Sequence, residues 1–493
     1  MRIDCADTPI ALRASSEAPR HGMVILLGVA LSTLAALTAS AAPPQVIDPT
    51  APDFGPNVTI FDPAMPTGEI AATVNAIHAQ QVDDEMGSNR YSFFFLPGEY
   101  GSDAEPLQIR VGYYTEVAGL GASPGDVWIN GKIESFNRCF DDPTNPEFIG
   151  CFALNNFWRT LSNLSIWVNG LGQDGCVASA NFWAVSQAVS LRRVEVAGGN
   201  LSLMDYCTGP SFASGGYIAD SRAELVINGS QQQWFTRNSD VIEWSNGVWN
   251  QVFSGVVGAP LDVDYPNPPY TTLDNTPVSR EKPYLFVDAE GAYQVRVPAT
   301  QLDSRGISWG EGMTPGRTIS ITDFFIAKPD DSVQEINNQL ARGKHLLLTP
   351  GVYDVARSIS VKRPDTVVLG MGHATLTAVD GAMPLKIADV PGVVVAGVTI
   401  DAGTVESPVL LQVGKPNGNN GVNTTDPLNP TTLSDVYFRV GGPHIGKADI
   451  SLEVNSDGVL IDHTWVWRAD HGIEGFDRNA GVFGDDQRWA TNI

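Results

Sequence analysis

One short pattern occurs twice in this chain and constrains its fold more than any other feature. Leu96-Pro97-Gly98-Glu99-Tyr100, followed by Leu107, Ile109 and Val111 and then by Gly119-Leu120-Gly121, returns as Thr349-Pro350-Gly351-Val352-Tyr353, Ile359, Val361 and Gly370-Met371-Gly372. The offset is 253 at the two tyrosines, 251 at Gly119 and Gly370, and 250 at Gly131 and Gly381, so the copies stay almost in register. Apolar residues at alternate positions mark strands with one buried face. Each copy follows a stretch of helical period, residues 69 to 81 with Ile70, Val74 and Ile77, and residues 331 to 342 with Val333, Ile336 and Leu340. The reading is all-β: two tandem right-handed parallel β-helix domains, each opened by a short capping helix.

Within the first module Asn156-Phe157-Trp158 is followed 25 positions later by Asn181-Phe182-Trp183, a spacing expected for one coil, with Asn156 and Asn181 stacked as an asparagine ladder. Asp220, Arg222, Asp240 and Glu243 read as polar dressing of coil turns. From Gly258 to about Asp323 eight prolines intervene, from Pro260 to Pro315, a density that strand ladders exclude. That segment is expected to wrap between the domains, with a hairpin pairing Tyr284 to Val287 with Tyr293 to Val297. The expected boundaries are 1–41 for an export signal, 42–57 for an extended leader, 58–257 for the first β-helix, 258–323 for the connection and 324–493 for the second β-helix. A loop rich in Gly, Asn and Pro, Asn417 to Pro430, is thrown out from one coil of the second module.

Arg13, Arg20 and His21 precede an apolar run from Met23 to Leu37, and Ala39-Ser40-Ala41 forms a small-x-small cleavage site. The run is short for a membrane span, which needs about 20 apolar residues, so secretion with cleavage is expected. Cys139, Cys151, Cys176 and Cys207 would remain in an oxidising compartment. Three pairings are possible; Cys139 with Cys151 and Cys176 with Cys207 close the shortest loops. No cysteine or histidine cluster has zinc spacing, so neither metal nor other cofactor is expected. A formal net charge of -25 disfavours nucleic acid and anionic membrane as partners. The expected partner is a neutral polysaccharide substrate, and the protein itself is expected to be a monomer. No glycine-rich phosphate loop is followed by lysine, so nucleotide chemistry is not expected.

The residues most suggestive of chemistry lie in Asp462-His463-Thr464-Trp465-Val466-Trp467-Arg468-Ala469-Asp470-His471-Gly472-Ile473-Glu474. On a strand, Trp465 and Trp467 point to one side and Val466 and Arg468 to the other, with Asp470, His471 and Glu474 at the turn. Asp470 and His471 are the catalytic candidates; Trp465, Trp467, Arg468 and Glu474 are candidates for substrate binding, although tryptophans at strand spacing more often serve core or inter-domain packing. Asp462-His463 reads as structural.

The tandem Pro-Gly-x-Tyr modules, together with Trp467-Arg468-Ala469-Asp470-His471, resemble glycoside hydrolase family 55 and its secreted actinobacterial members. The family comprises β-1,3-glucanases built from two β-helical domains side by side, and Arg468 stands where threonine is usual. The resemblance implies an inverting glycoside hydrolase acting on a neutral β-glucan. In the family the general-acid glutamate lies in coils beyond the Trp-Ala-Asp-His segment, and Ile493 comes only 23 residues after Asp470. The expectation is therefore a fragment with an incomplete second helix, lacking the proton donor. Two other functions compete: a polysaccharide lyase of the pectate-lyase-like superfamily, which would need a basic residue beside an acidic sugar, and a non-catalytic β-helical binding or surface protein.

Overall fold

The computed structural model describes residues 51–141, 149–152, 154–208, 213–229, 233–245, 251–260, 270–416, 426, 428–475 and 488–489, with backbone alone at 140–141, 149–152 and 488–489. The expected export signal and most of the expected loop from Asn417 to Pro430 lie outside the described residues.

The doubled pattern has a direct physical explanation. In each module a strand (Val58–Phe61, Phe324–Ala327) leads into a helix, α1 (Thr67–Gln81) or α2 (Val333–Ala341), and the chain returns as a strand parallel to the first (Tyr91–Phe95, His345–Leu348). The tyrosine that ends the motif ties these strands together. Tyr100 donates its hydroxyl hydrogen to the carbonyls of Phe61 and Leu96, both at 2.8 Å, and Tyr353 does the same to Ala327 and Thr349 at 2.8 and 2.9 Å. The motif glycine is required by the proline that leaves the first strand: a Cβ at Gly98 would stand 2.6 Å from Pro63, and one at Gly351 2.3 Å from Pro329. The helices do cap the solenoids, but each follows one strand where the sequence pattern suggested that it came first. Ile70 and Val74 of α1, and Ile336 and Leu340 of α2, turn inward to close the cores.

Beyond this opening the chain coils in parallel rungs. Thr160 pairs with Ser190, Ser190 with Tyr217, Tyr217 with Phe235, Phe235 with Val252 and Val252 with Thr271, so successive coils take 30, 27, 18, 17 and 19 residues. Two expectations fail here. The coil through Trp158 is 30 residues long, because Leu161, Leu164 and Ile166 lie on Leu191, Val194 and Val196. Asn156 and Asn181 therefore sit at different corners and form no ladder: Asn156 Nδ2 donates to the carbonyls of Phe136 and Ala184, whereas Asn181 bonds both backbone groups of Ile133. The first helix also runs further than expected, since Tyr270–Leu273 adds a rung beyond Gln251–Ser254. That rung contains no proline and lies last in its strand order.

The connection then forms the expected antiparallel hairpin, Tyr284–Val287 with Tyr293–Pro298, and adds a third strand, Gly316–Ser320. In the second helix one face runs Leu346, Val368, Val395, Leu433, Ile461 and the other Ile359, Leu385, Leu411, Leu452.

Among the described residues four apolar clusters form, the smallest of them around Trp158 and Trp467. One fills the first helix, from Phe61 and Leu107 through Leu161 and Val194 to Phe253. A second fills the other, from Leu346 through Val398 to Phe438. The third lies between them, where Phe94, Ala118 and Leu120 meet Leu347, Leu369 and Met371 around Leu285 and Val295 of the hairpin. Each fully buried Val, Leu, Ile or Phe contributes about 1.5–3 kcal/mol relative to exposure, so this middle core holds the two helices side by side. The described residues accordingly all fall within one compact unit. Cys176 and Cys207 are joined as expected. Cys139 is also disulfide-bonded and lies opposite Cys151 in an antiparallel pair.

Candidate active site

The strand Val459–Arg468 lies on Thr431–Val440, with Trp465 beside Tyr437 and Trp467 beside Arg439. Val466 packs against the core of the second helix, so alternation turns Trp465 and Trp467 outward, toward the first helix. There they meet Tyr113, Tyr114, Phe157 and Trp158. Trp465 stacks on Phe157 at 4.9 Å, Trp158 meets Trp467 edge-on at 5.6 Å and Tyr114 stacks on Trp158 at 5.2 Å. Arg439, paired in the interior with Asp401, lies over Trp158 at 5.1 Å.

Trp467 is 6% exposed. Its ring is enclosed by Trp158, Trp465 and the backbone at Gly442, where an added Cβ would come within 2.7 Å of the indole. This packing leaves little of the Trp467 ring open to a sugar. Its Nε1 instead donates to Asp470 Oδ1 at 3.3 Å. Trp465 is half-buried, and its outer edge remains at the rim.

At the end of the strand the chain turns and joins three titratable groups by hydrogen bonds. His471 Nδ1 is 2.7 Å from Asp470 Oδ1, and its Nε2 is 2.6 Å from Glu85 Oε1. Glu85 belongs to the first module, in the loop between α1 and Tyr91–Phe95, so these bonds cross the seam between the helices. The Tyr114 hydroxyl donates to the Glu85 carbonyl, and Asn155 Nδ2 donates to its carboxylate at 3.4 Å. Burial works against charge on His471, but the hydrogen bond and charge of Glu85, with those of Asp470, outweigh it and raise its pKa above the ordinary imidazole value. Asp470 moves the other way: burial would raise its pKa, and the His471 bond and charge lower it overall. With its side chain 69% exposed, Asp470 is a water-facing carboxylate held in place by the His471 ring. Beside Glu85 a cavity of about 330 Å³ opens between Tyr113, Asn155, Asn156 and Arg138.

The structure thus brings Trp465, Trp467, Asp470 and His471 together. Glu474 does not join them: its backbone closes on Gly442, bonding both amide and carbonyl, and its side chain is exposed. Arg468 is half-buried on the opposite side of the strand from Trp467. Asp462 bonds Arg237, Arg192 and Tyr217 in the buried seam, and His463 Nδ1 lies 2.7 Å from Asp435 Oδ1. Glu85 escaped sequence reasoning because it lies 386 residues from its partner. Its only trace was the acidic run Asp83-Asp84-Glu85 directly after a capping helix.

Fold and site together define a pectate-lyase-like β-helix protein with two solenoids and a carboxylate-imidazole cluster on the seam between them. Residues 324–490 match the family model described as the LAM55 pectate lyase-like domain. Over 435 residues the chain is 43% identical to an exo-β-1,3-glucanase of Streptomyces sp. (strain SirexAA-E / ActE), covering 88% of this chain and 66% of that protein, just under two thirds of its length. The solved structure of sacteLam55A from Streptomyces sp. SirexAA-E superposes with a TM-score of 0.77 at 41% identity, over 90% of this chain and 74% of that one. A glutamate-to-alanine variant of sacteLam55A in complex with glucose gives 0.75 at 40% identity, with the same coverage. The chain belongs to glycoside hydrolase family 55.

Proposed function

We propose that this protein is a secreted glycoside hydrolase that cleaves a neutral β-1,3-glucan with inversion, using the seam between its two β-helices as the cleft. One observation carries the reading: a water-facing carboxylate, Asp470, held by a histidine that a second carboxylate from the other helix positions, in a chain 43% identical to an exo-β-1,3-glucanase. In an inverting reaction one carboxylate draws a proton from the attacking water while a separate acid protonates the leaving oxygen. Asp470 has the protonation state and exposure for the first task. His471 and Glu85 act through it as positioning residues, and Trp465 lines the approach. No described residue is assigned the second task. An overall charge of -25 favours a neutral polymer over a uronate.

The test measures reducing sugar released from laminarin and, in parallel, ultraviolet absorbance of unsaturated products from polygalacturonate. Glucose or oligosaccharide from laminarin, appearing first as the α-anomer, is expected. Unsaturated product would mean a lyase instead. Asp470→Asn should lower turnover by about 10²–10⁴, the usual worth of a positioned general base; unchanged turnover would remove Asp470 from the mechanism. Sequencing the amino terminus of exported protein checks the removal of residues 1–41.

A further inference from the structure

A second cleft lies on the outer face of the first β-helix, and it shares no lining residue with the cavity beside Glu85. Here strands Gly98–Tyr100, Val127–Glu134 and Arg159–Val168 run in parallel, with Glu99 beside Trp128 and Asn130 beside Trp167. Tyr100, Ile129 and Ile166 fill the core, so alternation directs Glu99, Trp128, Asn130 and Trp167 outward. Trp167 is 49% exposed, and its indole lies on Gly198, where a Cβ would come within 2.9 Å of the ring. Gly198 has φ +71°, so both conformation and contact keep a bare backbone under the indole. Trp128 is fixed by its Nε1, which donates to the Gly125 carbonyl at 2.9 Å.

Polar groups between the two rings are equally well held. Asn169 Nδ2 donates to Asn130 Oδ1, and Asn130 Nδ2 donates to Asp103 Oδ1, both at 2.9 Å. The cleft measures about 700 Å³, inside the range of about 300–1,000 Å³ typical of ligand sites. Glu99 and Asp103 border it, and its lining contains no Lys, Arg or His.

Each feature narrows the ligand. Two indoles held by backbone seats offer flat apolar faces at little cost in side-chain entropy. Pre-oriented amide and carboxylate oxygens beside them suit a ligand dense in hydroxyl donors. Carboxylates without a cation repel uronates, sulfated glycans and nucleic acid. We propose that this cleft is a non-catalytic binding site for a neutral glucan chain, which keeps polymer on the enzyme while the seam acts on an end or a strand of it. The identity of the glucan rests on the proposed function; the ligand class rests on the cleft alone.

Isothermal titration of the full chain with a soluble laminari-oligosaccharide tests the site, alongside the laminarin assay. If both readings hold, wild type binds two chains per protein, and Trp167→Ala and Trp128→Ala each bind one, the lost site weakening by about tenfold or more, equivalent to at least 1.4 kcal/mol. Both residues point outward, and unchanged urea midpoints would show intact folding; Asp103→Ala provides a third, fully exposed variant. Hydrolysis of laminarin with a stoichiometry that none of these variants changes would overturn the site and leave the proposed function standing. No hydrolysis, with one bound chain falling to none in Trp167→Ala, would support the site and overturn the proposed function. Equal binding of polygalacturonate by wild type, lost in Trp167→Ala, would overturn the assignment to a neutral ligand.

Discussion

Two clusters of charge occupy the same seam, and they differ in what water can reach. In the first, Arg192 and Arg237 from one helix, Glu281 and Lys282 from the connection, and Asp435 and Asp462 from the other helix set three cations against three carboxylates. Arg192 meets Glu281 at 2.6 Å and Asp435 at 2.9 Å; Arg237 meets Glu281 at 2.6 Å and Asp462 at 3.0 Å. Burial alone would push the Asp435 carboxyl up, yet Arg192 and then Lys282 hold it well below the usual carboxylate range. Glu281 and Asp462 are held down in the same way, mainly by Arg237. The second cluster, Glu85, His471 and Asp470, uses the same kinds of group at the open rim. Enclosed charge fixes the relative position of the helices, while half-open charge can exchange protons with a substrate or water. The chemistry of the groups is shared, and solvent access divides their roles.

The sharpest way to break this contrast is Arg192→Met. It would leave Asp435, Glu281 and Asp462 short of a partner in a site where exposure is 7% or less. Removing one member of such a buried set costs about 3–5 kcal/mol, so the urea midpoint should fall steeply or soluble protein be lost. A change under about 1 kcal/mol, the level of an exposed pair, would mean that water reaches the cluster. The same network sets the acid limit of the fold. Because its carboxylates have depressed folded pKa values, their contribution is complete above the ordinary carboxylate range and is lost only as pH falls through those depressed values.

Glu85→Gln probes the open cluster, with a smaller effect on stability and a larger one on function. His471 has a raised folded pKa, so its contribution is present below the unfolded imidazole value and is lost as pH rises through the folded one. With glutamine at position 85 the strongest influence raising that pKa disappears. A titration of the His471 ring by NMR should show a midpoint above 6.5 in wild type and a lower one in the variant. Turnover on laminarin should fall by about 10–100-fold, as expected when a partner that orients a catalytic group is lost, with its alkaline limb shifted to lower pH. An unmoved pH profile would confine Glu85 to a structural role.

How much of this was legible in the sequence follows from distance along the chain. The repeated Pro-Gly-x-Tyr module, the hairpin from Tyr284 and the Cys176–Cys207 pairing are local or periodic, and they read directly. Asp470 and His471 stood out because aromatic, acidic and imidazole groups crowd into one strand end. The coil length was misjudged because Asn-Phe-Trp occurs at two different corners, and a short identical string outweighed the apolar spacing of Leu161, Leu164 and Ile166. Trp467 stood open between platform and packing because a strand pattern gives the side a residue faces but not what covers that side. Glu85 and the six-membered ion cluster are assembled by the docking of two solenoids, and no local pattern records which residues meet there.

The finest comparison lies within a single side chain. Trp467 belongs to the enclosed half of the seam by its ring and to the open half by its Nε1, which reaches Asp470. Trp467→Phe keeps most of the ring contact with Trp158 and Trp465 and removes only that donor. One hydrogen bond of this kind contributes about 0.5–1.5 kcal/mol, and more when the acceptor is charged. At 3.3 Å the bond is long, and Asp470 retains His471 at 2.7 Å, so stability should fall by no more than the lower end of that range. Turnover should fall a few-fold in kcat with little change in KM, because the carboxylate loses one of two restraints while the cleft keeps its shape. A rise in KM with kcat unchanged would instead mean that the ring touches substrate after all, and that the seam opens further in solution than the packing around Trp467 allows.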